Sequence, residues 1–420
     1  MALAVSRLKQ KGLGEAVAIE EELREVLLRV GAGLFSSLLD LADLEVPGDE
    51  LVFGEKRRNQ QPRTFQTLFG PLKVKRTVFY RYETGTHRVP FDEALGIRDG
   101  CTPALLKLIC RSAARGPYAE ASADLAAFSS IHLNPKRIHR AVQEVGPLFS
   151  EALHADQRIE DPAPERIYIE ADGTGIPLRK EFLRGRKGKQ EDGSAKTHEV
   201  KVGCVFTQSP RPGVEPLRDP DSTSYIATMK RTGDFGPMLL QEARRRNLGA
   251  AAQSIFISDG AVWLREIART HFPDATRIID YYHASEHLHD LAKAVHPNSE
   301  DEAMQRAHLW EKWILEDRLE NILSDARALA GDGNREEIED QIPYFEDNAE
   351  AMQYGSFREA GIFIGSGVVE ASCKTVVGKR MKHSGAFWSQ PGAGHILDFR
   401  TALASDRFNS TWEKIMENAA

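Results

Sequence analysis

The chain has 420 residues, 41% of them hydrophobic, and a formal net charge of -7 at pH 7. That length can build two or three domains, and no apolar run approaches the ~20 residues a membrane-spanning helix needs. The N-terminus lacks a signal peptide's long apolar core, and Cys101, Cys110, Cys204 and Cys373 show no CxxC spacing, so a reducing, cytoplasmic setting without membrane partners is expected.

Residues 15–45 read as an amphipathic helix, with Val17, Leu23, Val26, Leu27 and Leu34 at helical spacing. From Arg63 to Tyr82 the pattern turns β-like around a Gly70-Pro71 turn. Lys56 to Tyr82 holds eight Lys or Arg residues and no acid. Residues 102–156 read as three helices. Asn134-Pro135 is a helix start, with Asn as N-cap and Pro at the first position. Lys136, Arg137, His139 and Arg140 fall in the first turns, the part of a recognition helix that enters the major groove. A plain three-helix unit with a basic surface has the same pattern.

After Asp161-Pro162-Ala163-Pro164, a linker, the texture becomes α/β. Strands are expected from Glu165, over Val200–Thr207, Tyr225–Met229, Ser254–Ser258 and Ala275–Tyr281, with a helix over Pro237–Asn247. Arg179–Thr197 is Gly- and Lys-rich and reads as a hairpin tip. From Ala284 to about Gly361 the chain is helical and acidic, with Trp310, Trp313, Ile314 and Leu319 as an apolar stripe. Ala284 to Ala360 carries 19 acidic and 7 basic residues, so the remainder of the chain has a net charge of +5. The negative total therefore does not exclude a nucleic-acid partner. Basic stretches at Arg179–Lys201 and Lys374–Lys382 (Lys374, Lys379, Arg380, Lys382) adjoin the blocks described next.

Three apolar runs each reach an Asp: Ile167 to Asp172, Ile255 to Asp259 and Ile278 to Asp280. Carboxylates at the C-terminal ends of buried strands lie at the rim of an open α/β sheet, where such folds place their sites. Gathered there, they repel one another unless a cation neutralises them, and a hard divalent ion suits oxygen ligands. Far downstream, Gly365-Ser366-Gly367-Val368-Val369-Glu370 reads as a helix start with Ser366 as N-cap. Glu370 then lies just past the first turn, where the helix dipole favours an ionised carboxylate. Lys374 follows one turn later, either to bind a phosphate or simply to pair with Glu370.

The blocks IEADGTGIP, VKVGCVF, FISDGAVWL, FPDATRIIDYYHASEHL, YGSFREAGIFIGSGVVEASCKTVV and FWSQPGAGHILDFRTAL resemble insertion-sequence DDE transposases of the ISKra type. The resemblance is dense from about Glu165 to His289 and from Tyr344 to Trp412. It implies a ribonuclease H-like catalytic domain, a mixed five-stranded sheet flanked by helices, over 161–283 and 361–420. It further implies an all-α insertion over 284–360, a helix-turn-helix-like DNA-binding region over 101–160, and a helix plus β-hairpin region over 1–100. Asp172, Asp259 and Glu370 would be the metal triad, holding two Mg²⁺ or Mn²⁺ ions. Asp280 would support them, and His283, in the DYYH element, would act on the DNA. Lys136, Arg137, Arg140, Lys374, Lys379, Arg380 and Lys382 are the candidate DNA contacts. The implied partners are double-stranded DNA, as terminal repeats and target, and further copies of the chain, in a prokaryotic, nucleoid-associated setting. Relatives carry a CxxC pair after the hairpin; Tyr82 to His87 has no cysteine, and zinc is not expected.

Two other readings compete. A transposase-derived protein could bind DNA without cutting it. His283-Ala284-Ser285-Glu286-His287 also matches the H-x-x-E-H zinc peptidase pattern, with both histidines as ligands and Glu286 as base, but that reading leaves Asp172, Asp259 and Glu370 without a role.

Overall fold

The computed structural model describes residues 2–41, 50–155, 163–183, 197–210, 215–331 and 333–417. The chain divides into two compact units, Met1–Leu153 with Phe408–Ala420, and His154–Arg407. Among the described residues, no helix is long and apolar enough to cross a membrane.

The first unit opens with helices Ala2–Lys11 and Ala16–Leu41. The apolar residues that mark the longer helix as amphipathic are largely exposed, Leu27 at 68%. An antiparallel sheet follows, of β1 (Lys56–Thr67), β2 (Gly70–Arg81) and β3 (Thr86–Arg88). β1 begins seven residues before the expected β-like stretch. Its first nine residues are exposed, so no apolar alternation marks them. From Phe65 onward the alternation appears, and Phe65, Leu72 and Val74 form a small core against Phe35 and Leu39. Three helices follow as expected: Pro103–Arg115, Tyr118–Ser129 and Pro135–His154. Asn134 caps the last, its Oδ1 accepting from Arg137 N–H at 2.9 Å. The C-terminal helix Phe408–Glu417 clusters with this unit and not, as expected for 361–420, with the larger sheet. Phe408 meets Phe149 at 5.1 Å between ring centroids, an apolar contact of core quality.

The second unit is a five-stranded mixed sheet flanked by helices. Its strands are β4 (Arg166–Pro177), β5 (Thr197–Gln208), β6 (Ser224–Thr228), β7 (Gln253–Ser258) and β8 (Thr276–Ile279), in the order β6-β5-β4-β7-β8. β4, β5 and β6 form an antiparallel meander, and β7 and β8 run parallel to β4. Strands buried on both faces read as continuous apolar runs. One face is covered by helices Thr232–Arg245 and Val262–His271, whose Phe235, Leu239, Leu264 and Ile267 meet Ile167, Ile169, Val205 and Phe256. The first of these helices starts five residues before the expected Pro237, because Gly233, Gly236 and Pro237 disguise its first turns. Gly236 is needed for close approach, since a Cβ there would sit 2.5 Å from the His271 ring.

The opposite face carries Tyr168, Glu170 and Asp172. Tyr168 stacks on Phe206 with centroids 4.9 Å apart, and Phe363 stands edge-on to both. Between β8 and Glu370 the chain forms helices Tyr281–Val295, Glu300–Ile314, Leu319–Ala328, Arg335–Glu346 and Tyr354–Glu359. Trp310 and Ile314 are fully buried there, and Trp313 lies under Arg318, so the apolar stripe is core. Of the expected hairpin tip, 184–196 lie outside the described residues.

Candidate functional site at the edge of the mixed sheet

Three of the predicted carboxylates come at one end of the mixed sheet. Glu170 pairs with Ile257 across parallel β4 and β7, and Ser258 pairs with Ile279 across parallel β7 and β8. Asp172 lies two residues beyond the last β4–β7 pair, and Asp259 and Asp280 directly follow the last residues of β7 and β8, so the three acids come at the same end of adjacent strands. β4 does not stop at Asp172; it runs on with β5 to Pro177↔Thr197. Asp172 therefore sits in mid-strand at the point where β7 leaves, and Asp172-Gly173 is not a turn. At Gly260 the chain after β7 bends away with φ +88°, a left-handed conformation natural to glycine.

Each of these carboxylates is held differently. Asp172 accepts from Gly173 N–H at 2.6 Å through Oδ1 and from the Cys373 thiol at 3.3 Å through Oδ2. Burial, and then the Asp172 charge, push that thiol well above its usual range. Asp259 Oδ1 accepts from Ala261 N–H at 2.8 Å, which fixes the turn into helix Val262–His271. Asp280 is fully buried and caps helix Tyr281–Val295 by accepting from His283 N–H at 2.9 Å. Its other oxygen accepts from Ser366 N–H. Burial pushes the Asp280 carboxyl up, but the His283 hydrogen bond and these backbone donors outweigh it and hold it below its usual range.

Glu370 is brought to the same edge by a short helix, Gly367–Ser372. Ser366 occupies the N-cap position but its side chain makes no capping bond. The cap comes instead from Glu170, whose Oε2 accepts from Val369 N–H at 2.9 Å and from the Cys204 thiol at 3.7 Å. Glu170 is completely buried, burial pushes its carboxyl up to about 8, and its Oε1 has no partner among the described residues. The sequence reading passed over this residue. Its signal was a Glu in the middle of an otherwise apolar strand, two positions before Asp172, because a buried acid needs a specific partner.

Oxygen or nitrogen atoms of Asp280, His283 and Glu370 lie within 4.8 Å of one another. Asp172 and Asp259 are not part of that close group. The Asp280 hydrogen bond raises the His283 imidazole to about 9 against the opposing effect of burial, with Asp259 and Glu286 adding negative charge. His283 Nδ1 is 3.4 Å from Asp280 Oδ1. His287 is held elsewhere, stacked 3.7 Å from the Tyr344 ring. Among the described residues, no cluster that could hold a metal includes Glu286 or His287.

The basic residues fall into exposed and engaged groups. Lys382 Nζ donates to Thr174 Oγ1 at 2.6 Å, two residues beyond Asp172 on the same face of β4. Lys374 and Lys379 are exposed. Glu370 and Lys374 form no ion pair, because the helix widens into a π-turn over Cys373–Gly378, which spoils the i,i+4 alignment. Arg400 donates to the Thr375 and Val376 carbonyls within that turn. Arg380 is only 3% exposed and lies over the Trp388 ring at 4.7 Å, so it braces the segment rather than facing a nucleic acid. In the first unit, Lys136 is exposed, while Arg137 and Arg140 both face Asp99, at 3.8 and 3.4 Å.

No protein-family model matches the chain, and no curated protein matches it. Among solved structures, the Drosophila P element transposase strand transfer complex is similar over 77% of this chain and 82% of that chain. The identity is 10% and the TM-score 0.26, a likeness too loose to carry an argument.

Proposed function

We propose that the second unit is the metal-dependent phosphodiester-cleaving and strand-transferring domain of a DNA transposase. What supports this reading is that Asp259 and Asp280 follow directly on β7 and β8 at the end of the sheet where Asp172 lies on β4, with Glu370 on a short helix that a buried strand carboxylate caps. The motif blocks that resemble insertion-sequence transposases extend it to DNA ends as substrate. Asp172, Asp259 and Glu370 would hold Mg²⁺ or Mn²⁺. The donor chemistry fits, since all three offer carboxylate oxygens, the ligands that hard divalent ions prefer. The Glu370 carboxylate has no hydrogen bond to any described residue that would have to be given up. When bound, a pair of such ions supplies charge stabilisation to the attacking and leaving oxygens of an in-line displacement.

The chain's own residues do the rest. Asp280 fixes both the His283 helix and the Glu370 loop, so it positions and does not react. His283 would donate a hydrogen bond to a phosphate oxygen there. Lys374, Lys379 and Lys382 supply positive charge along the path of a phosphate backbone. The test is nicking of DNA carrying the inverted repeats that flank the coding region. Purified protein is expected to cut it in Mg²⁺ or Mn²⁺ and not in chelator, and Asp259→Asn is expected to lose cutting while retaining end binding. Wild-type nicking by Asp259→Asn, or end binding without any cutting by the native chain, would overturn the catalytic reading, the second in favour of a DNA-binding derivative.

A further inference from the structure

We propose that His289, His308 and Glu311 form a binding site for a borderline transition-metal ion, with Zn²⁺ the best match, that clamps the first helical hairpin of the acidic insertion. The proposal departs from the expectation that the chain needs no zinc. It does not rest on the reading of the sheet edge as a DNA-cleaving site.

The hairpin consists of helices Tyr281–Val295 and Glu300–Ile314, joined by residues 296–299. His308 and Glu311 are three residues apart on the second helix and so share a face. His289 meets them from the first helix. One donor atom from each of the three lies within 4.8 Å of the others. Ligands about 2.0–2.2 Å from a tetrahedral zinc are about 3.4 Å apart, and His289 Nε2 is already 3.2 Å from Glu311 Oε1. Closing the rest takes only side-chain rotation by His308, which is exposed.

The donors are also disposed for a ligand. Ser285 Oγ donates to Glu311 Oε1 at 2.5 Å, and His289 contacts the same oxygen. Both contacts fall on Oε1, so Oε2 has no protein partner among the described residues. His308 has a ring contact with His289, centroids 5.9 Å apart at 84°, and no hydrogen bond among the described residues. A carboxylate oriented by a hydroxyl beside two imidazoles is the arrangement in which a neighbouring group aims a metal ligand. Two imidazole nitrogens and one carboxylate favour Zn²⁺, Co²⁺ or Ni²⁺ over Mg²⁺. With three protein ligands the fourth position is left to water or to a partner group. His289 lies six residues beyond His283, about 9 Å along the helix axis, so the ion would stiffen the helix on which His283 stands without touching the sheet-edge carboxylates.

The experiment is a Co²⁺ titration of the full-length protein in excess Mg²⁺, followed by visible absorption, with Zn²⁺ as competitor. One equivalent is expected to give the strong d–d bands of a tetrahedral site and to be displaced by Zn²⁺. Asp259→Asn should keep those bands. His308→Ala, at an exposed position, should lose them, and Ser285→Ala should bind roughly 10-fold more weakly. Zn²⁺ should raise the melting temperature of the native protein and of Asp259→Asn but not of His308→Ala. Absence of the bands in the native protein, unchanged binding by His308→Ala, or loss of the bands in Asp259→Asn would each overturn the site.

Discussion

His283 is where the two enzymatic readings of one short motif part. In a zinc peptidase His283 and His287 would bind one ion together, but His283 is tied to Asp280 and His287 is stacked on Tyr344. On the transposase reading, His283→Ala removes one donor to the scissile phosphate and should slow cleavage on the order of 10²-fold, the scale seen when a single charge-stabilising donor is lost. Glu286→Gln should cut at close to the native rate. A dead Glu286→Gln, together with zinc that is lost in His283→Ala, would restore the peptidase. Glu170 calls for a different measurement, because it acts through Val369. Glu170→Ala leaves that buried N–H without an acceptor, and a penalty of roughly 1–3 kcal/mol in denaturant-derived stability is expected. Glu170→Gln keeps an acceptor oxygen and should cost less. Equal losses for the two variants would mean that space, and not the cap, is what Glu170 provides.

At the level of elements, sequence reasoning succeeded where one local signal dominates. The helix at Pro135–His154 starts where Asn134-Pro135 places it, and the cap is visible in the Arg137 N–H bond. Asn134→Ala should therefore cost about 1 kcal/mol, with Asn134→Asp close to native, in thermal or denaturant unfolding; an unchanged midpoint for the Ala variant would show that the cap is not limiting. The core strands of the mixed sheet were legible because burial on both faces makes their apolar runs continuous. The first half of β1 was not, since an exposed strand carries no alternation to read. The Ser366 cap failed for another reason. A Ser before a helical run is a fair local signal, but here Glu170, 199 positions earlier, takes the Val369 N–H, and no local pattern encodes a partner that distant. The π-turn after Ser372 was equally invisible, because it is sustained by Arg400 from a separate helix.

Across the whole molecule, charge decides how a chain with a net -7 could bind DNA. The acidic excess is confined to residues 284–360, and the rest of the chain is net positive. In the first unit Lys56, Arg57, Arg58, Arg63, Lys73 and Lys75 are exposed on the three-stranded sheet, whereas Arg76 is buried and donates to Asp92 at 2.7 Å. Binding through such a surface releases condensed counterions, so log K should fall linearly with log salt, by about 0.9 per phosphate neutralised. If five phosphates are engaged, the slope for end DNA is about -4.5. Lys73 and Lys75 face the same side of β2 and have no acidic partner among the described residues. Replacing both with Gln should make the slope shallower by about 1.8 while leaving the melting temperature unchanged, because neither side chain is in the core. Arg76→Gln should do the opposite, leaving Asp92 half-buried without its closest cation and lowering stability more than the slope. Affinity measured from low to moderate salt on the full-length chain separates the two. An unaltered slope in the Lys73/Lys75 variant would mean that DNA does not track this sheet, and the exposed basic strands would then be no more than a solvated face.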